Sequence, residues 1–255
     1  MSDDTQAEYR NGGVMIKPLH SLVLVPGMLM LVGMPVLAET VSVSIISALA
    51  PTACIPTLTG GGVVSYGIIL SSQLSATAFT VLPIKEIGLT IICDAPAQVA
   101  VRALTGRKLS LAGANESPLG VGLNPVPIFD FTSGFPVVGL GLDGTTKIGG
   151  YGVTTLGGSF TTNNGSVEII GQRSATFPPA TWINQDSGTA GILYTSFNDQ
   201  YKYISWASAG TLTPVAFQTL SGTLQVQAYL NKSTAFDFSH AINLDGLTTL
   251  EILYL

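Results

Sequence analysis

The clearest hydrophobic pattern in the chain is the one it ends on. At period two, Leu250, Ile252 and Tyr254 fall on one face, and Thr249, Glu251, Leu253 and Leu255 fall on the other. That alternation predicts a β-strand rather than a helix, so the chain is expected to finish inside a sheet. A terminal strand with a large apolar set presents an edge with which a different protein can pair.

The same periodicity recurs through the chain. Val41, Val43 and Ile45 alternate with Ser42 and Ser44, which predicts a first strand ended by Pro51 just before Cys54. After the turn signal Gly60-Gly61-Gly62, residues 63 to 70 form a β-rich run. Ile87, Leu89, Ile91 and Cys93 share one face of a strong strand, and after Asp94-Ala95-Pro96 a further strand places Ala97, Val99, Val101 and Ala103 on one side. Several strands this early, with no helical period, predict an all-β, antiparallel sandwich. Near the end, residues 201 to 206 form another strand. Leu224, Val226, Ala228 and Leu230 alternate with Gln225, Gln227 and Tyr229 in one more.

Between Gly106 and Pro179 the pattern breaks into short apolar pieces (135 to 142, 151 to 156 and 167 to 170) separated by turn signals such as Asp143-Gly144 and Asn164-Gly165. Short strands and long Gly/Pro-rich loops are expected there. No linker to a second domain is visible.

Composition supports the class. Apolar residues make up 46% and charged residues only 10%, with 29 Gly and 14 Pro, the profile of a Gly-rich β protein. The net charge is −5 and the ten basic residues are scattered, which argues against nucleic acid as a partner. A mean hydropathy of +0.47 with so few charges implies apolar surface hidden against something, a partner chain being one candidate.

The amino-terminal segment supplies a compartment. Residues 21 to 38 are almost wholly apolar, follow Lys17 and His20, and end Val36-Leu37-Ala38 before Glu39. This is the pattern of a secretory signal cleaved between Ala38 and Glu39, leaving a domain of residues 39–255. Residues 1–14 are acidic and polar, a poor start for a signal, so Met15 is the expected initiator. A retained membrane anchor is the alternative, opposed by Pro26, Gly27, Gly33 and Pro35 within a run at the short end of what spans a bilayer.

Taken together, a signal peptide, a first-strand Cys54, a second Cys93 within Leu89-Thr90-Ile91-Ile92-Cys93, a late Gln225-Val226-Gln227-Ala228-Tyr229 strand and a penultimate Tyr254 resemble the subunits of chaperone-usher fimbriae. Pro51-Thr52-Ala53-Cys54-Ile55-Pro56-Thr57-Leu58 and Cys93-Asp94-Ala95-Pro96 are most similar to a bacterial branch of fimbrial-like proteins catalogued only as a domain of unknown function. The resemblance implies an incomplete, pilin-type immunoglobulin-like sandwich of six strands. The missing seventh leaves an apolar groove beside the last strand. A periplasmic chaperone fills that groove first, and the N-terminal extension of a neighbouring fimbrial subunit fills it afterwards, with an outer-membrane usher as a further partner. Leu250, Ile252 and Tyr254 would line the partner-facing edge, and Cys54 and Cys93 would be disulfide-bonded. Free thiols or a metal site are the alternatives for the cysteines, but no histidine lies near them and the export signal favours the disulfide.

The chain also departs from that pattern. Residues 39 to 53 read as the first strand itself, leaving little to serve as a donor extension, and Gly246 lies closer to the end than the glycine expected before the penultimate tyrosine. A minor or tip subunit, which accepts a strand and donates none, fits these departures better than a rod subunit.

The competing function is a monomeric secreted β-sandwich that binds a ligand such as a host or surface carbohydrate. The aromatics Trp182, Tyr194, Phe197, Tyr201, Tyr203 and Trp206 could stack on sugars, although aromatics alternating in strands usually belong to a core. A metal or cofactor centre is not expected: His240 is the only histidine after residue 38 and reads as a loop residue. Asp143-Gly144-Thr145-Thr146 is a turn before it is a cation loop, and Gly139-Leu140-Gly141 lacks a strand-to-helix unit that would make it a dinucleotide loop. No catalytic constellation is legible, so an enzyme is not expected.

Overall fold

The computed structural model describes residues 53–185 and 191–255, which lie in one compact unit. The expected signal peptide, its cleavage point at Ala38 and Glu39, the start at Met15 and the strand around Val41 to Ile45 lie outside the described residues.

The described chain opens with β1 (Cys54–Leu58), a turn of 3-10 helix at Thr59–Gly62 and an extended stretch over 63 to 70. Glycine is required in that turn: Gly60 and Gly61 have φ of +60° and +66°, where a Cβ is strained. A short β2 (Thr80–Val81) precedes two long strands, β3 (Lys85–Ala97) and β4 (Val99–Thr105). The middle supplies β5 (Val121–Leu123), β6 (Pro136–Gly139), the hairpin β7 (Leu142–Asp143) and β8 (Thr146–Lys147), and β9 (Gly149–Thr155). The hairpin β10 (Thr161–Thr162) and β11 (Gly165–Ser166) leads into β12 (Glu168–Ser174) and β13 (Ile183–Asn184). The chain closes with β14 (Tyr201–Ala207), β15 (Phe217–Leu230) and β16 (Thr248–Tyr254).

Every named pairing is antiparallel, and apart from the separate β7–β8 hairpin the strands form two sheets. The larger runs β1-β3-β15-β9-β6-β5, with β2, β10 and β11 at its margins; the smaller runs β13-β12-β14-β4-β16. The fold is therefore an all-β antiparallel sandwich with open edges. With a nine-stranded and a five-stranded sheet it is larger than the six-stranded sandwich the resemblance implies.

Burial follows the predicted faces where one face meets the core. Ile87, Leu89, Ile91 and Cys93 of β3 are buried, as are Val99, Val101 and Ala103 of β4. They pack with Leu224, Ala228 and Leu230 of β15 and with Trp206, whose ring lies 5.5 Å from Phe160 and 6.0 Å from Phe217. Aromatic packing of this kind contributes beyond the area it buries.

Three sequence expectations are corrected. β3 does not end at Asp94-Ala95-Pro96 but continues to Ala97, and the chain changes sheet at Gln98, between Ala97 of β3 and Val99 of β4. Residues 63 to 70 are extended but join no ladder; Val64, Tyr66 and Ile69 pack on the core while Ile68 is 91% exposed. The middle of the chain forms the short strands and loops expected of it: it provides β6 and β9 inside the larger sheet, and its excursion around Leu111, Ile128, Phe135 and Val137 builds a second apolar cluster against Tyr229. Tyr229, expected on the polar face of its strand, is fully buried and donates its hydroxyl hydrogen to the carbonyl of Ala112 at 2.7 Å.

Candidate functional site

The site is assembled where one rim of each sheet meets: β16 at the edge of the smaller sheet and β1 at the edge of the larger. β16 pairs with β4 in continuous register from Thr248 opposite Thr105 to Tyr254 opposite Val99, and with nothing on its other side among the described residues. The parity of its hydrogen bonds follows from the ends of the ladder. The amide of Gly106 donates to the carbonyl of Leu247, and the amide of Leu255 donates to the carbonyl of Gln98. Directly opposed residues in an antiparallel pair alternate between bonded and non-bonded, so odd-numbered positions of β16 bond to β4. The main-chain groups of Thr248, Leu250, Ile252 and Tyr254 therefore point at the open side.

Beside that free edge lies an apolar groove of about 210 Å³. Ile87, Leu140, Val153 and Leu224 form its buried floor, and Leu58, Val64 and Tyr66 flank it from the side of β1. Leu244, Leu247 and Leu250 flank it from the other side. Tyr66 holds its own segment by donating its hydroxyl hydrogen to the carbonyl of Val226 at 3.2 Å, and burial pushes its pKa up to about 12, so it stays neutral. Under the groove, the hydroxyl of Thr248 lies 2.7 Å from that of Tyr151 and 2.8 Å from that of Tyr194. Burial raises both tyrosines above their ordinary range, so this cluster is uncharged. Gly246 is forced by contact: a Cβ there would lie 2.8 Å from the Tyr151 ring. Leu244 and Leu247, at the mouth of the groove, remain exposed.

The predicted edge residues separate into different jobs. Leu250 lines the groove, and Ile252 packs against the main core. Tyr254 is 47% exposed, and its hydroxyl accepts the amide hydrogen of Cys54 at 2.7 Å, tying the end of β16 to β1. Cys54 lies opposite Cys93 in the β1–β3 register, and the two are disulfide-bonded, which removes free thiols and a metal site from consideration. Asp94 secures the same corner by accepting the amide hydrogen of Ala53 at 2.9 Å. The contributions of Val64, Tyr66, Leu140 and Tyr151 to the groove were not legible; the only signal was the alternation of Val64 and Tyr66.

The aromatic set is mainly core. Tyr194, Tyr203 and Trp206 are buried, and only Phe197 stands well exposed. His240 does not stand alone in its loop: its Nε2 lies 2.9 Å from a carboxylate oxygen of Asp143, joining the β7–β8 hairpin to the connection before β16. The hydrogen bond to Asp143 and its negative charge raise the His240 pKa above 6.5. A raised folded-state pKa means the contact stabilises fully below the unfolded value and fades as pH rises through the folded one. An NMR titration of His240 is expected to give a midpoint above 6.5, and Asp143→Asn is expected to bring it down; an unchanged midpoint would show that the pair does not form.

Two proteins of Escherichia coli (strain K12) are similar to nearly the whole chain. Protein GltF is 29% identical over 223 residues, covering 83% of this chain and 87% of its own. The uncharacterized protein YhcF is 29% identical over 230 residues, covering 86% and 92%. No solved structure matches the chain. Residues 43–152 match the model of the family described as "Protein of unknown function (DUF1120)".

Proposed function

We propose that this protein is an exported, non-enzymatic subunit of a chaperone-usher surface fibre, of minor or tip type, carried through the periplasm by a chaperone that pairs with β16. The observation that carries this reading is the free, even-numbered edge of β16 beside an apolar groove. An edge strand exposes a row of unpaired donors and acceptors, and proteins generally cover such edges or pair them. An added strand here would satisfy the main chain of Thr248, Leu250, Ile252 and Tyr254 and set alternate side chains into the groove. Burying three or four large apolar side chains contributes roughly 1.5–3 kcal/mol each, much of a small domain's net stability. The disulfide suits an oxidising compartment.

Amide hydrogen exchange tests the vacancy directly. In the isolated chain, the amides of Leu250 and Ile252 are expected to exchange quickly while those of Thr249, Glu251 and Leu253 are protected. Adding the chaperone should protect the even positions selectively. Slow exchange at Leu250 and Ile252 without any partner would mean that the edge is already occupied, and the fibre reading would fall.

A further inference from the structure

The opposite side of the sandwich holds a second cleft, of about 410 Å³ and of different character. It opens where Leu123 and Pro136 of β5 and β6 face β12, β13 and β14, at the far edges of both sheets from β1 and β16. Arg173 and Lys202 lie directly opposite each other in the β12–β14 register, and both line it.

Lys202 shares the parity of Ile204 and Trp206, so it sits on the core-facing side of β14, and it is only 9% exposed. Like charges directly opposed across strands are unfavourable, and a buried ammonium without an anion is costly. Lys202 has only a neutral partner among the described residues, donating to the side-chain oxygen of Gln185 at 2.6 Å. No acidic side chain lines the cleft among the described residues. Burial and the neighbouring Arg173 depress the Lys202 pKa to about 8. On a chain of net charge −5, two cations converging in a recess with no acidic lining among the described residues form a local exception that a bound anion would resolve.

The remaining lining narrows the anion. Gln172, Gln185, Thr195 and Ser196 offer amide and hydroxyl groups, and Phe197 offers a half-exposed ring with the Arg173 guanidinium 4.3 Å from its centroid. The volume falls within the ordinary range of small-ligand sites, about 300–1,000 Å³. We propose that the Arg173–Lys202 cleft binds an acidic sugar, with the carboxylate held between the two cations and the ring hydroxyls held by the glutamine, threonine and serine side chains. This site is independent of the β16 edge, so either reading can fail without the other.

Calorimetric titration of the full chain, alone or with its chaperone bound, tests the proposal with galacturonate as probe and galactose and acetate as controls. Galacturonate is expected to bind at least about ten-fold more tightly than either control. Lys202→Met and Arg173→Gln are each expected to weaken it by at least about ten-fold. Arg173 is exposed, so Arg173→Gln keeps the test open if Lys202→Met fails to fold. Equal binding of galactose, or undiminished galacturonate binding by Arg173→Gln, would overturn the proposal.

Discussion

Replacing Cys54 and Cys93 by serine is expected to lower the stability of the folded chain by about 4 kcal/mol, the chain-entropy value for closing a loop of this length. The bond spans 39 positions and joins the edge strand β1 to β3 at Cys54 and Cys93. The rest of that corner depends on it: the amide of Cys54 donates to Tyr254, and Ala53 and Asp94 exchange hydrogen bonds beside it. Freed from the bond, β1 is held by its ladder with β3, the amide contact to Tyr254 and the packing of Leu58, while its central residues are exposed. Losing it removes the groove's wall on that side as well as stability. Urea unfolding of the oxidised and double-serine proteins measures the difference; a change below about 1 kcal/mol would show that β1 docks without the covalent tie.

The second large effect concerns β16. Leu250→Asp together with Ile252→Asp is expected to abolish recovery of the protein from a periplasm that supplies its chaperone, whereas Glu251→Gln leaves the yield close to wild type. Leu250 faces the groove and Ile252 the core, so each aspartate introduces a desolvated carboxylate where an inserted strand would pack. Glu251 lies on the other face, paired with Arg102 at 2.5 Å in a partly exposed ion pair that contributes about 0–1 kcal/mol. Full recovery of the double aspartate variant, or wild-type yield in a strain lacking the chaperone, would count decisively against assembly through this edge.

What the sequence disclosed depended on whether a strand has one dry face. β3 and β4 were readable because Ile87 to Cys93 and Val99 to Ala103 alternate cleanly against a single core. β16 was readable as a strand, but its free side is a property of the sheet order, which no local pattern encodes. Residues 63 to 70 have strand-like composition yet form no ladder, because alternation reports which side chains are buried and not whether a neighbouring backbone is present. The buried state of Tyr229 depends on an excursion of the chain more than a hundred positions earlier, with Ala112 as its hydrogen-bond partner. Lys202 could have been noticed: a lysine in step with Ile204 and Trp206 is a charge on the inward row. Its proximity to Arg173 depends on the register of β12 against β14, which only the folded molecule reveals.

The cluster around Leu111, Phe135 and Tyr229 upholsters the outer flank of the larger sheet. Around Tyr229 the larger sheet is therefore covered on both faces, and the unpaired surface it leaves is its margins, not a broad apolar side.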